Sequence, residues 1–189
     1  MIAALSMMLV LSGAPRGPKP HKLSAEELAT VVQQAGLDAD SIDGEQAFAN
    51  DALGAHSTFL AEIKDGIARY IVVRDGKIVF DVKSDRSQSF ALPKVAAVVF
   101  KDLNRDGLMD ILIVEHHEGN GGVKEDGTRD LLVYDEAVAL LQQGGGAFID
   151  GSTHFDWKKI YPAGDGRKPE TFSAQGAARA FAAKVQRTK

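Results

Sequence analysis

Residues 58–82 read TFLAEIKDGIARYIVVRDGKIVFDV: three short extended runs cut by two Asp-Gly dipeptides. The runs at 58–63, 69–73 and 78–82 are rich in β-branched and aromatic side chains, which suit a pleated, half-buried surface. A two-residue type I′ turn needs positive φ at both central positions, and Asp-Gly is one of the few pairs that accepts this. The stretch therefore predicts an antiparallel β-meander in which Asp65 and Asp75 are turn formers rather than ligands.

Toward the N-terminus the periodicity becomes helical. Ser24 is a candidate N-cap, Glu26 and Glu27 place negative charge in a first turn, and Leu28, Val31, Val32 and Ala35 share one face before Gly36 stops the helix. Phe48 and Leu53 suggest a second short helical segment, and Asp38, Asp40 and Asp43 form a linking turn because their spacing misses the alternation a metal loop needs. Toward the C-terminus, apolar runs at 95–100 and 111–114 lead into and out of an acidic loop. After a glycine-rich connection at 119–122, residues 131–134 read as another strand and 137–143 as a short helix stopped by Gly144 to Gly146. Residues 155–161, with the single Trp, are expected to pack irregularly over the sheet. Residues 173–189 read as an alanine-rich helix laid on the body, with Phe172, Ala177, Phe181 and Val185 on one side.

The expected fold class is thus α+β: one antiparallel β-meander sheet over about 57–135, resembling a propeller blade and flanked by an N-terminal and a C-terminal helix. A length of 189 residues suits a single globular domain over 21–189. Residues 1–20 read as a leader and linker, since the apolar run 1–14 has signal-peptide length, falls short of the ~20 residues a membrane span needs, and gives way to a Pro-rich stretch. This points to a secreted or periplasmic protein with no integral membrane span. The net charge of −4, with scattered Lys and Arg, argues against nucleic acid and anionic lipid as partners. Without cysteine there are no disulfides or thiolate sites, so any metal must be held by oxygen or imidazole.

The acidic loop reads Asp102-x-Asn104-x-Asp106-Gly107-x-x-Asp110. Calcium takes six to eight oxygens, and side chains at alternate positions of a tight loop converge on one centre. Gly107 permits the sharp turn. An EF-hand begins similarly, but its twelfth position, where a bidentate Glu belongs, is Ile113 here, and the flanks are β-rich.

Residues 98–114, an apolar strand followed by this loop and a second apolar strand, resemble the calcium loop of FG-GAP or VCBS repeats, the blade units of integrin-like β-propellers. The resemblance covers one copy over about residues 95–135. It implies Ca²⁺ as the cofactor, with Asp102, Asn104, Asp106 and Asp110 as side-chain ligands and Leu108 as the carbonyl ligand. A propeller needs about four to eight blades, for which the chain is too short, so the expectation is a single blade-like sheet. Residues 126–133 echo the loop's second half without its first two ligands, and read as a hairpin turn.

Glu115-His116-His117-Glu118 unites imidazoles and carboxylates, but adjacent strand residues point to opposite faces, so it reads as a surface strand end. No Gly-x-Ser-x-Gly elbow and no phosphate-binding loop is present, and no catalytic residue is assigned. The functional expectation is an exported, noncatalytic calcium-binding protein with a structural or partner-binding role toward an unidentified protein or glycan. The alternatives are a small secreted hydrolase whose site sequence does not reveal, and a cell-envelope interaction protein with a vestigial metal loop.

Overall fold

The structure, a computed structural model, describes residues 19–84, 91–123 and 125–151. The apolar run 1–14, the segment 155–161 and the helix expected over 173–189 lie outside the described residues.

Both Asp-Gly pairs turn as the sequence requires. Asp65 and Gly66 have φ of 53° and 75°, and Asp75 and Gly76 have 49° and 72°. They join β3 (Ser57–Lys64), β4 (Ile67–Arg74) and β5 (Lys77–Lys83) into an antiparallel meander, with a register shift between Val72 and Val73. Two short strands, β1 (His21–Lys22) and β2 (Phe48–Ala49), extend this sheet on the β3 side, in the order β1-β2-β3-β4-β5. Helix α1 (Ala25–Ala35) begins at a capping box, in which Glu27 N–H donates to Ser24 Oγ and Ser24 N–H to Glu27 Oε2, and ends on Gly36 in the left-handed region.

A second antiparallel sheet holds β6 (Ala91–Lys101), β7 (Asp110–Val123), β8 (Arg129–Gln142) and β9 (Phe148–Asp150) in that order. Pro93 lies in β6, an edge strand, which is where a sheet accommodates proline.

This architecture corrects the expected fold class. The chain is mostly β, built on two antiparallel sheets rather than one blade-like sheet, and α1 is the only helix of seven or more residues among the described residues, so the picture of flanking helices at both ends is withdrawn. The segment 137–143 is not a helix either: residues 137–142 are the end of β8, paired with β7 through Val114↔Ala137 to Ile111↔Leu140. Alanine and leucine favour helices, but the chance to bury against a neighbouring strand overrides that preference. Phe48 lies in β2 and Leu53 in a single 3₁₀ turn, Asp51–Leu53, not in a second α-helical segment. The glycine-rich residues 119–122 continue β7, with a register shift between Asn120 and Val123, instead of forming a connection. The hairpin turn expected near Asp126 and Gly127 is present between β7 and β8. Asp38 and Asp43 likewise act as turn formers, each capping a 3₁₀ turn with its carboxylate.

The two sheets face each other across the main core. Phe59, Ala61, Ala68, Tyr70 and Val72 of the first meet Val95, Val98, Ile111, Ile113, Val138 and Leu140 of the second. Each fully buried large apolar side chain here is worth about 1.5–3 kcal/mol. Strand alternation sends Leu60, Ile71 and Val73 to the opposite face of the first sheet, under Leu28, Val31 and Ala35 of α1. Arg74 adds a polar tie between the sheets: its guanidinium donates to the carbonyls of Leu53 at 2.8 Å and Gly146 at 3.1 Å.

Candidate metal-binding sites

The acidic loop bridges β6 and β7, whose last register pair is Lys101↔Asp110. Its side chains organise its own backbone. Asp102 Oδ1 accepts from the N–H groups of Arg105 at 2.6 Å and Asp106 at 3.2 Å, and its Oδ2 from that of Gly107 at 3.0 Å. Asp106 Oδ1 accepts from the N–H of Leu108 at 2.8 Å, while Asn104 donates from Nδ2 to Asp106 Oδ2 at 2.8 Å and accepts at Oδ1 from the Asp106 N–H. Arg105 at φ 67° and Gly107 at φ 88° carry the turn. Leu103 is the loop's anchor, fully buried with Leu112, Ala139 and Leu141 on the outer face of the second sheet.

The five residues expected to hold calcium occupy different environments. Asp106 is exposed, Asp102, Asn104 and Leu108 are half-buried, and Asp110 is fully buried. Asp110 Oδ2 accepts from the Leu103 N–H at 2.7 Å and Oδ1 from the Gln142 N–H at 2.9 Å, so one carboxylate ties the loop to its own strand and to β8. Burial pushes the Asp110 carboxyl up to about 6, and the nearby negative charge of Asp106 adds to this, while the N–H groups of Leu103 and Gln142 pull it back.

A second cluster lies deeper. Alternation along β7 continues the core-facing series Ile111, Ile113 into Glu115 and His117, and along β8 it places Glu136 on the face of Val138 and Leu140. Glu115 and His117 are fully buried. His117 Nε2 stands 2.8 Å from Glu115 Oε2 and 3.7 Å from Glu136 Oε2, and the Tyr70 hydroxyl reaches across from the other sheet to donate to Glu115 Oε1 at 2.6 Å. Among the described residues, Glu115, His117 and Glu136 are the one group of three His, Asp or Glu whose ligand atoms all lie within 4.8 Å of one another. The carboxylates of the acidic loop are not drawn together to that degree.

The surface reading of residues 115–118 is therefore corrected. Alternation holds, but only His116 and Glu118 face outward, 3.0 Å apart, whereas Glu115 and His117 point into the core. The signal was present in Ile111-x-Ile113-x-Glu115-x-His117, an apolar face that turns polar without leaving the strand. Glu136 and Tyr70 could not be added without the strand register. No protein-family model, no curated protein and no solved structure matches the chain.

Proposed function

We propose that the chain is an exported, noncatalytic calcium-binding protein whose metal loop, resembling an FG-GAP or VCBS repeat, has a structural or partner-binding role. The observation that carries the reading is the preformed loop: the Asp102 carboxylate gathers three successive N–H groups and holds Asn104 and Asp106 at alternate positions of one tight turn. Three carboxylates within nine residues concentrate negative charge, and a bound cation offsets it. Because the loop joins β6 to β7 and Asp110 reaches β8, an ion held there ties three strands together. Its binding free energy then adds to the stability of the second sheet. Export is supported by the apolar run of residues 1–14.

Calorimetric titration with Ca²⁺, paired with thermal melts in calcium and in chelator, tests the reading. At a hundredfold excess over Kd the melting point should rise by about 5–10 °C. Asp106→Ala, at an exposed position, should remove both the heat and the shift. Absence of heat and of any shift in the folded wild-type chain overturns the proposal.

A further inference from the structure

We propose that Glu115, His117 and Glu136 form a site for one divalent transition-metal ion, with zinc as the reference ion, in the space between the two sheets. The inference rests on residues separate from the calcium loop.

Glu115 and Glu136 are direct register partners on β7 and β8, and their side chains turn to the same inner face. Like charges directly opposite on neighbouring strands are destabilising, and more so as water is excluded. Two carboxylates placed there beside Ile113 and Val138 favour positive charge between them. His117, one alternation further along β7, supplies a nitrogen ligand at that point.

Ligand atoms at about 2.0–2.1 Å around a tetrahedral ion stand about 3.3 Å apart. The separations of His117 Nε2 from the two carboxylates, 2.8 and 3.7 Å, bracket that spacing, and the third edge lies within 4.8 Å. The Tyr70 hydroxyl bonds the other Glu115 oxygen, which fixes the carboxylate's orientation and leaves Oε2 to the ion. Three protein ligands leave a fourth position for water or a ligand atom. The Glu136 side chain is 34 % exposed and marks the route by which an ion enters.

Chemistry selects the metal class. Calcium takes six to eight oxygens and makes no use of imidazole, whereas a mixed imidazole and carboxylate set of three suits zinc and its first-row neighbours. An imidazolium held between two carboxylates would show the same contacts without a metal, and the experiment separates the two.

The full chain, stripped with chelator and freed of it, is titrated with Co²⁺ by visible absorption and with Zn²⁺ by calorimetry. One equivalent of Co²⁺ should develop the ligand-field bands of a four- or five-coordinate ion, Zn²⁺ should bleach them and Ca²⁺ should not. In imidazole ¹⁵N spectra of the wild-type protein, Zn²⁺ should move the His117 ring. Glu136→Gln and His117→Gln should weaken Co²⁺ binding by about 100-fold or more, while His116→Gln, on the outward face, should leave it unchanged. Thermal melts show whether the variants are folded. A folded wild-type chain that takes up neither ion, an unmoved His117 ring, or wild-type affinity in folded Glu136→Gln overturns the site in favour of the imidazolium arrangement. The wild-type spectra decide even if His117→Gln fails to fold. None of these outcomes bears on the calcium loop, whose test uses Ca²⁺ and Asp106→Ala.

Discussion

The Tyr70 hydroxyl, on the inner face of the first sheet, donates to Glu115 Oε1 of the second at 2.6 Å, a charge-assisted hydrogen bond between two fully buried side chains. Tyr70→Phe keeps the ring that stacks on Phe59 and removes only this donor. The variant is expected to lose about 1.5–3 kcal/mol of stability in urea unfolding, because a buried carboxylate is left short of a donor. A loss below ~0.5 kcal/mol would mean that the bond does not help hold the sheets together.

Asp110 is the corresponding tie inside the second sheet. Asp110→Asn keeps the shape but turns an amide NH₂ toward one of the two N–H groups that Asp110 now accepts, from Leu103 and Gln142. With calcium chelated, the expected cost is about 1–3 kcal/mol in denaturant unfolding. Faster amide exchange at Leu103 or Gln142 would locate the damage. An unchanged midpoint in chelator would assign Asp110 to metal binding alone.

Leu103 should matter more to the loop than its place among acidic residues suggests. It is fully buried against Leu112, Ala139 and Leu141, so Leu103→Ala is expected to cost about 2–5 kcal/mol through lost transfer energy and the cavity left behind. Differential scanning calorimetry measures it. If the loop holds calcium as proposed, its affinity should fall too, since the turn from Asp102 to Asp106 is held in place from beneath by this side chain.

The capping box gives α1 a pH dependence of defined sign. The Ser24 backbone N–H, and then its hydroxyl, hold the Glu27 carboxyl below the ordinary glutamate value of 4.5. A depressed folded-state value means that the contribution is present above about pH 4.5 and is lost as pH falls through the folded value. Carboxyl ¹³C titration should place the Glu27 midpoint below 4.5, and Ser24→Ala should move it upward. A wild-type midpoint at or above the ordinary value would remove the capping bond from the account.

What was legible in the sequence was local. The Asp-Gly turns between β3, β4 and β5 follow from the φ values that two residues tolerate, and α1 follows from Ser24, Glu27, Gly36 and a single apolar stripe. The strands entering and leaving the acidic loop follow from runs at 95–100 and 111–114 that are apolar enough to be buried in a sheet. By contrast, residues 137–142 carry helix-forming alanine and leucine, and only the edge that β7 offers makes them a strand.

The turns, the first helix and the spacing of oxygens from Asp102 to Asp110 depend on residues a few positions apart, so they could be read from the chain alone. The split of the strands into two facing sheets, and the meeting of Tyr70, Glu115, His117 and Glu136 between them, depend on long-range pairing. Tyr70 and Glu115 are 45 positions apart, and Glu115 meets Glu136 through one particular register of β7 against β8. A slip of one residue in that pairing would send the whole face, and the cluster with it, to the other side of the sheet.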